Sequence, residues 1–248
     1  MAKNLRFWEI DSLRGIAVVM MVVFHLLFDL SYFGGFWVNV DSGFWLYFAR
    51  ATAAIFIFLV GVSLTISYSR AYAKYKTEKG LFMKYLKRGL KIFSWGLVIT
   101  LITWIFFRGE FIIFGVLHFI GISIILAYPL IKYRYRNLFL GIILVALGLY
   151  LRNFTFDFSW LMWLGFVPKS FYTFDYFPIL PWFGVVLIGL FFGNLLYEKS
   201  KRKFKLSDLS RSVSARFSGF LGRHSLFIYL IHQPAIILIL YFLGIAKI

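Results

Sequence analysis

The sequence contains no cysteine among its 248 residues. Disulfide bonds, thiol nucleophiles and cysteine-ligated metal sites are therefore excluded. Charged residues are also scarce, at 15%, whereas hydrophobic residues make up 61% of the chain and aromatic residues 22%. A soluble domain of this length carries far more polar surface, so this composition, with a mean hydropathy of +0.82, predicts an integral membrane protein.

Soluble domains, internal repeats and low-complexity linkers are absent from the sequence as well. We therefore predict one domain over residues 1–248, an all-α polytopic membrane bundle of about seven transmembrane helices. No cleavable signal is expected, because the first apolar run is longer than a signal core and no small-residue cleavage site follows it. The predicted spans are approximately residues 14–34, 44–68, 89–107, 111–131, 137–151, 178–197 and 225–245.

Acidic residues are few, at 10 against 27 Lys and Arg, which gives a formal net charge of +17. Most of the basic residues lie in the N-terminal segment and in residues 69–91, 132–136 and 199–223. The exceptions are Arg50, Arg108, Arg152, Lys169 and Lys247. This alternation is a topology signal: it predicts a cytoplasmic N-terminus, an outer C-terminus and no nucleic-acid partner. The long basic connections 69–91 and 198–223 are interpreted as interfacial helices or loops in contact with membrane lipid.

The first span carries ionisable residues, which are costly in a membrane and therefore candidates for function. Arg14 and His25 are eleven residues apart, about three helical turns, so their side chains share a face. Asp29 follows His25 by one turn, where a carboxylate can hold one imidazole nitrogen and make the other a better base. The structural alternative is that Arg14 anchors the helix in the cytoplasm and that His25 is a buried packing residue.

Two further histidines, His118 and His232, fall at a predicted membrane depth similar to that of His25. Each alone is more often a packing residue, but three that converge on one cavity indicate a site. Arg50 lies near the outer end of the second span and needs a carboxylate or an anion, with Asp29 or Asp41 as partners by depth. No metal site is predicted, since no histidine pair has ligand spacing on one helix.

The segment IDSLRGIAVVMMVVFH resembles the Arg-x10-His motif of the acyltransferase-3 membrane acyltransferases, with Arg14 and His25 on the motif positions. Together with FIFLVGVSL, GVLHFIGIS and SLFIYLIHQP, it is still more similar to the bacterial and archaeal branch of the heparan-α-glucosaminide N-acetyltransferase catalytic-domain family. The resemblance covers nearly the whole chain. It implies transfer of an acetyl group from cytoplasmic acetyl-coenzyme A to an acceptor at the outer face, usually a sugar hydroxyl or amine, by a multi-pass protein of the cell membrane.

Two departures from that family bear on the site. In its lysosomal members the catalytic histidine lies in the loop after the first span, and the corresponding loop GGFWVNVDSG has none. Seven spans are also fewer than those enzymes have. The catalytic role of His25 therefore depends on the acyltransferase-3 motif, and the identity of the acceptor does not carry over.

Acyl transfer from a thioester needs a base or a nucleophile, and His25 with Asp29 is the predicted source. Coenzyme A phosphates need cations, so Arg14, with Asp11 beside it, and the pair Arg88 and Lys91 are predicted to bind the donor. A further set is predicted to stabilise the oxyanion or orient the acceptor: His118, His232, Arg50 and Asp41. The alternatives are a small-solute or proton-coupled carrier and a non-catalytic lipid-binding protein. Both a monomer and a homo-oligomer are compatible with the sequence.

Overall fold

A computed structural model describes residues 6–36, 38–72, 74–75, 77–198 and 201–246. Within these residues the chain is almost wholly helical. The helices are α1 (Trp8–Gly34), α2 (Gly43–Tyr72), α3 (Glu78–Phe106), α4 (Val116–Ala127), α5 (Tyr135–Leu151), α6 (Ile179–Leu196), α7 (Val213–Arg223) and α8 (Ser225–Phe242). Two short antiparallel strands, β1 (Tyr197–Glu198) and β2 (Lys201–Arg202), follow α6. The predicted all-α class is confirmed.

Five of the helices, α1, α2, α3, α6 and α8, are long and apolar enough to cross a membrane. The chain is therefore a multi-pass membrane protein. Each of the seven predicted spans contains a helix. The fourth helix is much shorter than its predicted span of 111–131, whereas α5, at 17 residues, is slightly longer than the predicted 137–151. The 12-residue α4 rises only about 18 Å, against a hydrocarbon core of about 30 Å, because a 3₁₀ turn over Tyr128–Leu130 ends it.

The chain packs as two compact units, the first formed by residues 1–56 and 206–248 and the second by residues 57–205. The single domain over residues 1–248 stays a prediction. In the first unit α1 packs against α7 and α8. Ile236 and Leu240 of α8 are buried against Val22, Leu30 and Phe33 of α1, so apolar side chains hold these two helices together.

The helices α1 and α7 touch through their backbones. A Cβ atom at Gly15 would collide with the carbonyl oxygen of Ser218, and one at Gly222 would collide with that of Asp11. Small residues let helix backbones approach in this way. The hydroxyl of Ser12 then donates a hydrogen bond to the carbonyl oxygen of Ala215, at 3.3 Å. The first turns of α1, on the N-terminal side of its most apolar part, are therefore packed tightly against α7.

The two long basic connections differ in structure. Residues 78–91 are not a separate interfacial helix, because they form the first turns of α3, which begins after the capping residue Thr77. The second connection ends in the amphipathic helix α7, as expected for an interfacial segment. Four basic residues of the predicted charge pattern lie outside the described residues: Lys3, Lys76, Lys199 and Lys247.

In the second unit α3 packs against α4, and α5 packs against α6. Gly189 and Gly193 of α6 allow close approach to Phe58 and Thr65 of α2. The segment 152–178, which is rich in Trp, Phe and Tyr, contains a short 3₁₀ turn over Met162–Leu164 and an isolated bridge between Phe156 and Pro168.

The phenol of Tyr176 belongs to the same aromatic segment and donates to the carbonyl oxygen of Met162 at 2.6 Å. Burial raises the pKa of Tyr176 to about 12, so this donor keeps its proton. The spacing of Trp160, Trp163 and Trp182 in the sequence is typical of an aromatic belt at a membrane interface. Trp160 and Trp163 are exposed, as such a belt requires, whereas Trp182 is buried in α6 and is not part of one.

Candidate functional site

Two histidines face each other in the first unit, His25 of α1 and His232 of α8. Their ring centroids are 4.7 Å apart and the rings are nearly perpendicular. The Nδ1–H of His25 donates to the carbonyl oxygen of Met21 at 2.9 Å, and that of His232 donates to Tyr229 at 2.7 Å. A carbonyl only accepts, so each Nδ1 carries the proton and each neutral ring keeps a lone pair on Nε2. Two basic nitrogens therefore lie on adjoining helices.

Asp29, one turn beyond His25, is completely buried. Its Oδ1 accepts a hydrogen bond from Nε2 of Gln233 at 2.7 Å. The expected contact between Asp29 and His25 is therefore absent, because the Nδ1 of His25 already bonds its own helix backbone. The carboxylate instead joins α1 to α8 through the residue that follows His232.

Three buried acceptor atoms in this cluster have no hydrogen-bond partner among the described residues: Asp29 Oδ2, Gln233 Oε1 and His232 Nε2. The assignment of Gln233 is fixed by its neighbour, since a carboxylate only accepts and the amide nitrogen must face it. Buried polar atoms are nearly always paired, so three acceptors together indicate a place where a hydrogen-bond donor binds. We call these residues, with His25, the His25 cluster.

Arg14 and Asp11 lie toward the N-terminal end of α1 and form an ion pair at 3.3 Å. The guanidinium also donates to the carbonyl oxygen of Gly222 in α7, at 3.5 Å. The structure therefore joins these two predicted donor-binding residues to each other and to α7. Three turns of helix separate Arg14 from His25, as the sequence spacing requires.

His118 belongs to the second unit, and both of its ring nitrogens are engaged. Nδ1 accepts from the backbone N–H of Gly115 at 3.2 Å, which satisfies a free donor at the start of α4. Nε2 therefore carries the proton and faces Thr100 Oγ1 at 3.3 Å. The Thr100 hydroxyl in turn donates to the carbonyl oxygen of Ile112 at 2.6 Å. These contacts favour a structural role for His118 rather than the predicted catalytic one.

The remaining predicted residues are exposed. Arg50 and Asp41 lie in the first unit, and within the described ranges no ion pair joins Arg50 to Asp41 or to Asp29. Arg88 and Lys91 lie on the surface of α3 in the second unit. In the part of the chain that the structure describes, no three His, Asp or Glu side chains are grouped so that they could hold a metal ion.

The protein-family profile described as "Heparan-alpha-glucosaminide N-acetyltransferase, catalytic" matches residues 6–234. The chain belongs to this family. The match extends from the first described residues of α1 through the His232–Gln233 pair, so the whole His25 cluster lies within the family region. No curated protein and no solved structure is significantly similar to the chain. Membership of the N-acetyltransferase family indicates a membrane acetyltransferase-type enzyme, but it does not single out a branch of the family.

Gln233 is the residue of the His25 cluster that sequence reasoning missed. It lies in the quoted segment SLFIYLIHQP, and an amide in an apolar span is itself a signal, because it needs a partner there. The next residue, Pro234, has no N–H and removes one backbone hydrogen bond from α8 at this level. Polar side chains and an interrupted backbone therefore coincide.

Proposed function

We propose that this N-acetyltransferase family member is a transmembrane acyltransferase of the cell membrane. It takes an acyl group, most simply acetyl, from cytoplasmic acyl-coenzyme A and transfers it to a hydroxyl or amine of a carbohydrate at the outer face. The observation that carries the proposal is the group of three unpaired acceptors beside His25. Hydroxyl and amine groups are hydrogen-bond donors, so a sugar supplies the donors that these three acceptor atoms lack.

In the reaction, Nε2 of His25 takes the proton from the attacking hydroxyl or amine. The oxygen or nitrogen forms a bond to the thioester carbonyl carbon, the carbon–sulfur bond breaks, and coenzyme A leaves as a thiolate that is then protonated. His232, with its ring against His25, orients the acceptor through its own Nε2. Asp29 and Gln233 accept hydrogen bonds from the other hydroxyl or amine groups of the acyl acceptor. Alternatively, His25 first accepts the acyl group itself and then passes it on.

The phosphates of the acyl donor are assigned to Arg14, with Asp11 beside it, in the first unit. Arg50 and Asp41 are assigned to the acceptor. Arg14 is half-buried and already contacts α7, so its contribution combines donor binding with placement of α1. Arg88 and Lys91, on the surface of α3 in the second unit, stay predictions from the sequence.

The test is release of free coenzyme A from acetyl-coenzyme A by protein purified in nanodiscs, with a panel of amino sugars and neutral sugars. We expect His25→Ala to abolish acceptor-dependent release. The matched control is His224→Ala. His224 lies in the same unit and its ring also bonds a backbone carbonyl, that of Phe220 at 2.9 Å, but the side chain is exposed.

Equal release by the wild type and His25→Ala would overturn the proposal. So would flux of a solute across proteoliposomes with no consumption of acyl donor, which is the behaviour of a carrier. Intact-mass detection of an acyl adduct that is absent from His25→Ala would assign the two-step route.

A further inference from the structure

A groove of about 500 Å³ lies between the N-terminal turn of α1 and helix α7, within the first unit. Three arginines line it: Arg6, Arg216 and Arg223. One carboxylate, that of Asp11, also lines the groove, but it is paired with Arg14. The groove is therefore strongly cationic.

The groove also contains an uncharged hydrogen-bond donor. Trp8 lines the same groove, and its indole N–H is buried with no hydrogen-bond partner among the described residues. Guanidinium groups and an indole N–H are donors only. A ligand that fits this groove must therefore be anionic and rich in acceptor oxygens, which describes a phosphate group.

Helix α7 also supplies the apolar part of the groove lining, which identifies the source of that phosphate. The small residues of α7 pack on α1, while Val213, Phe217 and Phe220 line the groove and are exposed by 81%, 63% and 51%. These three residues recur at helical spacing and form one apolar stripe, with Arg216 and Arg223 along its edge. An apolar stripe edged by arginines is the pattern of a helix that lies in the membrane interface, with the apolar side chains among acyl chains and the arginines at headgroups.

We propose that the groove between α1 and α7 is a binding site for the headgroup of an anionic phospholipid. The lipid phosphate lies against Arg216, Arg223 and the Trp8 indole, and its acyl chains pack on Phe217 and Phe220. The charge-based topology predicts that this end of α1 is cytoplasmic, and the cytoplasmic leaflet is the one that carries anionic lipid. The proposal is independent of the acyltransferase chemistry proposed above.

The experiment measures lipid retention by native mass spectrometry of the full chain in detergent, with phosphatidylglycerol or phosphatidylcholine of the same acyl chains. We expect the wild type to retain phosphatidylglycerol preferentially. The double variant R216Q/R223Q should retain it roughly tenfold more weakly. The control K205Q/R211Q removes the same charge from exposed residues that do not line the groove, and it should behave as the wild type.

Two results would overturn the proposal. They are equal phosphatidylglycerol retention by the wild type and R216Q/R223Q, and an equal loss of retention in the control. If R216Q/R223Q retained the lipid but lost coenzyme A binding, the groove would be assigned to the nucleotide of the acyl donor. Should the double variant fail to fold, Trp8→Phe removes the indole N–H but keeps an aromatic ring and all three arginines, and its phosphatidylglycerol retention should still fall.

Discussion

His118 and the pair His25 and His232 all lie in apolar helices, but they differ in how many of their ring nitrogens have hydrogen-bond partners. Both nitrogens of His118 are used, one for the backbone of Gly115 and one for Thr100. Each histidine of the pair commits Nδ1 to its own helix and keeps Nε2. The position of the proton is therefore opposite in the two regions.

The surroundings differ in the same sense. The polar atoms around His118 form a series of hydrogen bonds that ends on the carbonyl oxygen of Ile112. Around His232 three acceptors lack a donor within the described chain. A buried histidine therefore indicates a functional site when polar atoms around it lack hydrogen-bond partners. It indicates a packing role when all of those atoms are paired.

The largest effect is expected for His232→Ala, which tests whether both rings of the pair are needed. We expect acceptor-dependent turnover to fall by at least about 10²-fold, because loss of the His232 Nε2 contact leaves the acyl acceptor misplaced for proton transfer to His25. Coenzyme A release is the measurement, on protein that elutes as a single species. Turnover near the wild-type level would mean that His25 acts without its partner.

A smaller effect is expected for Asp29→Asn, which keeps the size of the side chain. The asparagine oxygen can still accept from Gln233, but its amide then presents a donor where the carboxylate presented an acceptor. The asparagine N–H should repel the hydroxyl or amine hydrogen of a bound acyl acceptor, so we expect acceptor-dependent kcat/KM to fall by about 10- to 100-fold. Hydrolysis of the acyl donor in the absence of an acyl acceptor is the control and should change less. An unchanged kcat/KM would remove Asp29 from the acceptor site.

His118→Ala should affect folding rather than chemistry. It leaves the N–H of Gly115 unpaired and opens a cavity, which together cost about 2–4 kcal/mol of unfolding free energy. We expect a lower thermal midpoint in detergent, measured by Trp fluorescence, and turnover per folded molecule within about threefold of the wild type. A hundredfold loss of turnover with an unchanged midpoint would contradict the structural role.

Thr100→Val should give the smallest effect, since it keeps the shape and removes one hydroxyl. The ring of His118 and the carbonyl of Ile112 each lose a partner, at a cost of about 1–2 kcal/mol. The same fluorescence melt is the measurement. A destabilisation as large as that of His118→Ala would show that the hydroxyl, and not the cap on Gly115, supports this region.

The helices were predictable because apolar runs long enough to span a membrane have few other stable structures. Their ends were less so. α1 starts at Trp8 rather than near residue 14, because Glu9, Ile10 and Ser12 are buried in its first turns, where α7 packs. That support comes from residues two hundred positions away, which local sequence does not report.

The contacts of the candidate site were predictable only within one helix. The spacing of Arg14, His25 and Asp29 places them correctly along α1, but the partner of Asp29 is Gln233 on α8, which depends on helix pairing. The capping contact of His118 was accessible from sequence, since the residue stands three positions after Gly115 at the start of an apolar run.

The first unit is formed by two segments that are far apart in the sequence, with His25 in residues 1–56 and His232 in residues 206–248. During synthesis the first helix therefore enters the membrane long before its partner has been translated. The two rings can meet only after the ribosome has passed residue 232, so a nascent or prematurely terminated chain holds half of the histidine pair. Synthesis of α8 is thus the step that allows the cluster to assemble.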